Sequence, residues 1–200
     1  MWTYEKKAIE KGFLIIAGVD EAGRGPLAGP VVSASVILST SFNSEGIKDS
    51  KQLSPKKREY FYNYIFDHAI SIGVGIVGPE DIDRINILQA ALLSMAIAVK
   101  KLSPAPEIIL IDGQFPIPLS QQFHQQPIIK GDTKSVSIAS ASIIAKVTRD
   151  RIMNEYSNMY PQFGFSHNKG YPTKSHREAI QNFGCCPIHR KTFRGVKEYI

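Results

Sequence analysis

Four acidic residues are the strongest candidates for chemistry in this 200-residue chain. Each of them follows or ends a short apolar run that is typical of a buried strand. Carboxylates that meet at one edge of a sheet repel one another and raise their own pKa values unless a cation lies between them. Hard divalent ions such as Mg²⁺ or Mn²⁺ favour oxygen ligands of this kind. The four residues are Asp20, Glu21, Asp112 and Asp132.

Such a cluster would suit phosphodiester hydrolysis, because two ions about 3.5–4 Å apart can activate a water and stabilise a leaving oxygen. Each acid taken singly could instead have an ordinary structural role. Asp132 lies in GDTKS and could cap the helix that follows. The Asp20 segment could be a polar turn paired with Arg24. Asp150 lies between Arg149 and Arg151, and we interpret it as part of an ion-paired or solvated helix face.

The acids can meet only if the strands that carry them are neighbours. The apolar runs alternate with helical patterns, which predicts a mixed α/β sheet. If the first and fourth strands lie side by side, their terminal acids converge. The predicted strands are 13–19, 31–38, 69–77, 107–112 and 127–130, and the predicted helices include 55–68, 83–101, the stretch after Asp132 and 173–182.

The charge distribution indicates an anionic partner. Residues 130–200 hold 12 basic and 5 acidic side chains, a net of +7, whereas the rest of the chain has a net of −1. A basic segment of this kind is compatible with nucleic-acid binding. The only two cysteines, Cys185 and Cys186, are adjacent and lack zinc-site spacing. With no signal-like or membrane-length apolar run, we expect a reduced cytoplasmic protein.

Several sequence blocks together resemble the bacterial ribonuclease HII family. In chain order they are GVDEAGRGPLAGPVV, DSKQLSPKKRE, IDG, KGD, SASIIAKVTRD, YPQFGFSHNKGYPT and PIHR. The resemblance runs from about residue 13 to residue 193. A glycine-rich loop alone would be a weak signal, but this combination of blocks is highly specific.

The resemblance implies an α/β ribonuclease H-like fold, in which helices flank a mixed five-stranded sheet and a helical extension follows. It implies one catalytic domain over 1–200, with the helical part at about 155–200. The implied enzyme is a metal-dependent endoribonuclease with two Mg²⁺ or Mn²⁺ ions. It would hydrolyse the RNA strand of RNA–DNA hybrids and cut duplex DNA 5′ to embedded ribonucleotides, leaving 3′-hydroxyl and 5′-phosphate ends.

The resemblance also assigns residues. The family's metal ligands fall on the same four acids, which would be both catalytic and metal-binding. A tyrosine in the family senses the ribose 2′-hydroxyl, the group that distinguishes RNA from DNA at one position. The implied substrate-binding residues are Gly23, Arg24, Gly25, Lys51, Lys146 and Tyr171. None of the five histidines has metal-ligand spacing, and we assign none of them as a general base.

Related families fit the sequence less well. Ribonuclease HIII usually has a Glu at the fourth acidic position and an extra N-terminal domain, whereas this chain has Asp132 and a first strand by Phe13. Ribonuclease HI lacks the DEAGRG and AKVTRD blocks. The tail FRGVKEYI does not clearly match a sliding-clamp-binding peptide. We expect a monomer.

Two other functions remain as alternatives. A catalytically silent nucleic-acid-binding module would explain the basic C-terminal third, but it would gain nothing from carboxylates that face phosphates. A metal phosphohydrolase for small substrates would explain the acids, but it would not need the long basic segment.

Overall fold

The computed structural model describes residues 1–120 and 123–200 and has a mixed five-stranded sheet at its centre. The strands are β1 (Ile16–Ala22), β2 (Val31–Ile37), β3 (Ser71–Val77), β4 (Ile108–Asp112) and β5 (His124–Ile128). Their order is β3-β2-β1-β4-β5. The first three strands are antiparallel neighbours, whereas β4 and β5 run parallel to β1. The predicted pairing of the first and fourth strands is therefore confirmed.

Seven α-helices surround the sheet in the described residues. They are α1 (Thr3–Glu10), α2 (Pro55–His68), α3 (Pro79–Ile85), α4 (Ile87–Lys100), α5 (Val136–Met159), α6 (Phe165–Asn168) and α7 (Lys174–Phe183). None of the helices in this described part of the chain is long and apolar enough to cross a membrane.

The central strand β1 has α5 on one face and α4 on the other. Successive residues of a strand point to opposite faces, so Val19 packs with Met95 of α4 while Gly18 and Asp20 face α5. A Cβ atom at Gly18 would overlap the backbone of Ser137 on α5. The glycine therefore lets the helix approach the strand closely, and this places the α5 side of the sheet directly behind Asp20.

The long helix α5 begins at its own serine cap. The Ser135 hydroxyl accepts a hydrogen bond from the Ile138 amide at 3.2 Å, which satisfies one of the free N–H groups of the first turn. Asp132 is therefore not the cap of this helix. It lies one turn earlier, in the 3₁₀ helix Gly131–Thr133.

The helix predicted over 83–101 is wrong in its bounds, because two helices occupy this region. Proline at position 79 starts α3, and Asn86 separates it from α4 with a positive φ of 66°. The Asn86 side chain accepts hydrogen bonds from the amides of Leu88 and Gln89 at 3.0 and 3.1 Å. With a ψ of 164°, this is a backbone conformation that residues other than glycine rarely adopt. The asparagine also caps the new helix, so the apolar spacing alone did not reveal the break.

Two further differences have physical causes. The last strand, predicted over 127–130, lies at His124–Ile128. It is an edge strand and most of it is only partly buried, so it carries no continuous apolar signal and tolerates Pro127. The N-terminal helix α1 was not predicted. Its buried Glu5 accepts a hydrogen bond from the Ser137 amide at 3.0 Å and thereby covers the start of α5.

The C-terminal segment forms a second apolar cluster next to the sheet. The cluster includes Phe163, Phe165 and Ile180 from the helical part. Leu27 and Ala28, from the loop after β1, are buried in the same cluster. The loop that follows the first two acids is therefore held between the sheet and the C-terminal helices.

Candidate active site

Three of the four predicted acids come together at the carboxyl end of the central parallel strands. Val19 of β1 pairs with Ile111 of β4, so Asp20 and Asp112 follow at the same level of the sheet. Asp132 reaches them from the 3₁₀ helix after β5. One carboxylate oxygen of each of these three residues lies within 4.8 Å of the other two.

Hydrogen bonds from nearby amides orient two of these carboxylates. The Gly131 amide donates to Oδ1 of Asp112 at 2.7 Å, which ties the end of β4 to the turn that carries Asp132. The Glu21 amide donates to Oδ1 of Asp20, also at 2.7 Å. These bonds fix the orientation of the Asp112 and Asp20 carboxyl groups within the cluster.

Glu21 lies beside this group rather than inside it. It follows Asp20 along β1, so its Cβ atom starts on the other face of the sheet, although its carboxyl group still reaches the Asp20 carboxyl group. Its Oε1 accepts a hydrogen bond from Arg24 at 3.2 Å, and the arginine side chain is half exposed. The sequence-based expectation of a nearby arginine partner is met at Glu21, not at Asp20.

The electrostatics of the cluster favour a bound cation. Burial raises the pKa of Asp20 well above its ordinary value, and the negative charges of Glu21 and Asp112 raise it further. Burial and the charge of Asp112 also raise the pKa of Asp132. Burial raises the pKa of Glu21, although Arg24 opposes this shift. Carboxyl groups in such surroundings ionise together only when positive charge is supplied.

Lys51 is one source of positive charge near the cluster. It belongs to a 3₁₀ helix capped by Asp49, and its Nζ lies 3.9 Å from Oδ2 of Asp132. Burial alone would lower its pKa, but the charges of Asp49, Asp20 and Asp132 raise the pKa overall. An exposed lysine at this distance cannot neutralise three acids. A set of hard oxygen donors with this charge therefore fits divalent ions such as Mg²⁺ or Mn²⁺.

The glycine-rich loop, residues 23–30 between β1 and β2, lies next to the acids and presents an exposed face. Gly23 has a φ of +100°, and a Cβ atom there would overlap the Arg149 side chain. Arg24 and Gly25 are exposed. A Cβ atom on Gly25 would lie 3.7 Å from Cε1 of Tyr171. The structure thus places the predicted tyrosine against the predicted glycine loop, although 146 residues of chain separate Gly25 from Tyr171.

Lys146 is placed differently from the other predicted substrate residues. It lies on α5, and its Nζ donates to Oδ1 of Asp150 at 2.7 Å. This pair agrees with the ion-paired interpretation of Asp150. The same helix face is not uniformly solvated, however, because Arg151 is exposed while Arg149 is almost completely buried.

Two buried histidines hold the backbone of the tyrosine. The Cys186 amide donates to Nδ1 of His189 at 2.9 Å, so the His189 proton lies on Nε2, 3.1 Å from Nε2 of His176. Nδ1 of His176 then donates to the Tyr171 carbonyl at 2.9 Å. Burial lowers the pKa of His176, and burial together with His176 lowers the pKa of His189 to about 4. Both rings are therefore neutral at pH 7 and form a directed chain of hydrogen bonds.

Sequence reasoning missed the two arginines beneath the loop, Arg149 and Arg190. Each is at most 1% exposed, and each donates to backbone carbonyls of the segment from Gly23 to Pro30. Both lie in the blocks that carry the family resemblance. Arginine is ordinarily a surface residue, so nothing in the residue types alone signals their burial.

Comparison with known proteins places these features in a family. The family model described as "Ribonuclease HII" matches residues 17–196. A ribonuclease HII of Geobacter metallireducens is 54% identical over 200 residues, which cover 100% of this chain and 93% of that protein. A ribonuclease HII of Syntrophus aciditrophicus is 56% identical over 191 residues, with 96% and 89% of the two chains covered.

Solved structures agree with this match. The ribonuclease H2 of Pyrococcus horikoshii OT3 is 31% identical, with a TM-score of 0.77 over 92% of this chain and 96% of that one. The ribonuclease HII of Archaeoglobus fulgidus, solved in complex with PCNA, is 30% identical with a TM-score of 0.73 over 90% and 96%. A Bst-RNase HIII solved with Mn²⁺ shares the fold at 21% identity and a TM-score of 0.68 over 93% and 69%.

Proposed function

The chain belongs to the ribonuclease HII family and is an endonuclease of the ribonuclease H class, and on this premise we propose how its own residues perform the reaction. The proposed enzyme is metal-dependent. It hydrolyses the RNA strand of RNA–DNA hybrids and also cuts duplex DNA 5′ to a single embedded ribonucleotide. The products carry a 3′-hydroxyl and a 5′-phosphate. The observation that carries this proposal is the convergence of Asp20, Asp112 and Asp132 beside the glycine-rich loop.

Asp20, Glu21, Asp112 and Asp132 are the proposed metal ligands and catalytic residues. The raised pKa values of Asp20 and Asp132 support this assignment, because their carboxyl groups are held where a negative charge is unfavourable without a cation. Two Mg²⁺ or Mn²⁺ ions at this site would supply an activated water and stabilise the leaving oxygen. The Mn²⁺ of the Bst-RNase HIII structure belongs to a relative that shares only the fold.

Glu21 has a distinct place in this proposal. In the described structure its carboxylate is held by Arg24 at 3.2 Å. Arg24 would exchange this partner for a substrate phosphate, because guanidinium groups bind phosphates well. The exchange would release Glu21 toward the three other acids when the substrate binds.

Tyr171 and the glycine loop are proposed to recognise the ribonucleotide. Gly23, Arg24 and Gly25 would contact the nucleotide and its phosphates, and the adjacent phenol ring of Tyr171 would lie against the sugar that bears the 2′-hydroxyl. Lys51 and Lys146 are further proposed phosphate contacts. The basic C-terminal third, with its net charge of +7, would attract the duplex as a whole.

The test uses a labelled DNA duplex with one embedded ribonucleotide, incubated with the protein and either Mg²⁺ or Mn²⁺. We expect a single cut 5′ to the ribonucleotide, with ends that a ligase or polymerase assay identifies as 3′-hydroxyl and 5′-phosphate. An all-DNA duplex is the control and should stay intact. Tight binding without any cut would instead favour the silent nucleic-acid-binding module.

A further inference from the structure

Two buried arginines lie beneath the glycine-rich loop without an acidic partner. Arg149 and Arg190 are 1% and 0% exposed. None of the ion pairs found within residues 1–120 and 123–200 includes either guanidinium. The charge of Asp83 acts on Arg190 only from beyond ion-pair distance. A buried charge without a close counter-ion is unfavourable, so these two residues need another source of stabilisation.

Backbone carbonyls supply the stabilisation, and those bound by Arg190 belong to the loop itself. Its Nη2 donates to the Gly23 carbonyl at 2.6 Å, and its Nη1 donates to the Arg24 carbonyl at 3.0 Å. Nε and Nη2 also donate to the Gly29 carbonyl at 3.0 and 2.9 Å. One planar guanidinium therefore joins both ends of the loop and fixes two successive peptide units.

The orientation of these two peptide units determines where their amides point. The only cis peptide bond in the described residues is Ser103–Pro104. In a trans peptide the N–H points opposite to the C=O of the same unit. Because the carbonyls of Gly23 and Arg24 point down to Arg190, the amides of Arg24 and Gly25 point away from it.

These two amides are free to bind a ligand. Within the described ranges neither of them donates a hydrogen bond to a protein acceptor, and both Arg24 and Gly25 are exposed. Successive backbone N–H groups that point to one side form an anion-binding concavity. The buried charge of Arg190 lies behind them and makes the same face more attractive to an anion.

We propose that Arg190 is a positioning residue that aims the amides of Arg24 and Gly25 at one phosphate of the substrate strand. This inference rests on the proposed function and assigns a role to a side chain that never touches the substrate. The phosphate is one of the two that flank the ribonucleotide, because Gly25 lies against Tyr171. The phosphate would also bring a second negative charge toward the buried guanidinium, on which the charge of Asp83 already acts.

Arg149 provides a matched control within the same structure. It is buried to the same extent, but its donors reach the carbonyls of Pro30, Ala28 and Lys169 at 3.0, 3.1 and 3.0 Å. None of these carbonyls belongs to the peptide units of the two free amides. Arg149 packs against Gly23 as well, but its hydrogen bonds hold other carbonyls, so it supports the loop without fixing the orientation of the two free amides.

The experiment compares Arg190→Lys, Arg149→Lys and the unaltered protein on duplexes that carry one ribonucleotide. Each flanking phosphate is replaced in turn by an uncharged methylphosphonate. Binding is measured by fluorescence anisotropy in EDTA, and KM and kcat are measured with Mg²⁺. Lysine keeps the charge at position 190, but a single ammonium cannot hold three carbonyls in the same geometry.

For the unaltered protein, we expect one of the two methylphosphonates to weaken binding by about tenfold, as is typical of lost hydrogen bonds to a charged group. Arg190→Lys should weaken binding of the natural duplex by about the same factor and then respond less than about twofold to that methylphosphonate, because the two changes remove one interaction. Its KM should rise more than its kcat falls. Arg149→Lys should keep the full methylphosphonate effect.

Two outcomes would overturn the inference. If Arg190→Lys is as sensitive to the methylphosphonate as the unaltered protein, Arg190 does not act through that phosphate. If Arg149→Lys loses the sensitivity to the same extent, the effect is general loosening of the loop. Failure of the proposed function would give a different result from these two outcomes, because the unaltered protein would then make no cut at the ribonucleotide.

A measurement on the unaltered protein covers the case in which Arg190→Lys does not fold. The amide resonances of Arg24 and Gly25 are followed by ¹H–¹⁵N NMR as duplex is added. Both amide protons should shift downfield with the natural duplex and stay near their free positions with the sensitive methylphosphonate duplex. Identical shifts with both duplexes would contradict the assignment.

Discussion

Single residues of the acidic cluster are expected to have opposite effects on stability and on activity. Burial and neighbouring charge make the ionised form of Asp20 unfavourable, which raises its pKa. At neutral pH the cluster is therefore a source of strain in the metal-free protein. A bound divalent ion relieves this strain, so the same feature that weakens the free protein should give it affinity for metal.

The substitution Asp20→Asn should separate these two roles. We expect it to abolish cleavage with Mg²⁺ and with Mn²⁺, while hybrid binding in gel-shift assays stays within about twofold. Because the amide removes a buried negative charge, the metal-free variant should also melt at a higher temperature than the unaltered protein at pH 7. Turnover retained in Mn²⁺ would contradict the assignment of Asp20 as a ligand.

Tyr171 should contribute most to the cleavage rate on a duplex that contains a single 2′-hydroxyl. We expect Tyr171→Ala to slow cutting at a lone ribonucleotide by at least about tenfold, and to slow cutting of a continuous hybrid less, because a hybrid offers many equivalent sites. Tyr60→Ala is the control, since Tyr60 is 64% exposed on α2. Equal rates for Tyr171→Ala and the unaltered protein on the lone ribonucleotide would reject the sensing role.

At the level of helices and strands, substitutions at Asn86 test how its helix cap and its backbone conformation contribute to stability. Asn86→Ala loses the cap of α4 and keeps a Cβ atom at φ 66° and ψ 164°, a backbone conformation that favours glycine. We expect it to lower the free energy of unfolding by about 1–2 kcal/mol, whereas Asn86→Gly should cost only a few tenths. Urea unfolding measures both. Equal losses for the two variants would show that the backbone conformation has no part in the effect.

The same junction shows what local sequence patterns can and cannot predict. The helix 55–68 was predicted correctly, because Ser54 and Pro55 form a clear start signal. The region 83–101 kept a helical repeat across Asn86, so the pattern hid the break. The edge strand β5 lacked an apolar pattern for the opposite reason, since most of its side chains are partly solvated.

The part of the candidate site that could be predicted from the sequence is the part that lies at the ends of strands. Asp20 and Asp112 could be brought together from the sequence because each one follows a buried run, and parallel neighbours end at the same edge. The alternation that turns Glu21 toward Arg24 follows from strand geometry but was not used. The burial of Arg149 and Arg190 depends on long-range packing between the loop and the C-terminal segment, which no local pattern encodes.

At the level of the whole molecule, the histidine chain makes stability depend on pH. The folded-state pKa of His189 is lowered to about 4, whereas that of an unfolded histidine is about 6.5. The unfolded chain therefore binds the proton first as the pH falls. The contribution of His189 to stability is complete above about pH 6.5 and is lost progressively down to about pH 4.

We expect His189→Gln to be less sensitive to acid than the unaltered protein. The drop in unfolding free energy between pH 7 and pH 5 should be smaller in the variant by on the order of 2 kcal/mol. Asp20 and Asp132 act in the opposite direction, because their raised pKa values favour the folded state as the pH falls. They are present in both proteins, so the comparison cancels them. Equal pH dependence in the two proteins would contradict the neutral histidine chain.

The single-domain organisation remains a prediction, and the same unfolding curves test it. Leu27 and Ala28 join the C-terminal cluster to the loop after β1, so the helical part at about 155–200 should not unfold separately. We expect fluorescence and circular dichroism to report one coincident transition. Two resolved transitions would indicate that the C-terminal part is a unit of its own.

The central claim is that the converging carboxylates hold the catalytic ions. The most direct measurement is a calorimetric Mn²⁺ titration of Asp112→Asn beside Asp150→Asn, followed by cleavage of the single-ribonucleotide duplex by the same samples. Asp150 is the matched control, because its carboxylate pairs with Lys146 on α5. We predict that Asp112→Asn loses both the metal-binding heat and the cut, while Asp150→Asn keeps the metal-binding heat of the unaltered protein and still cuts 5′ to the ribonucleotide. Unchanged Mn²⁺ binding and cleavage in Asp112→Asn would contradict the account.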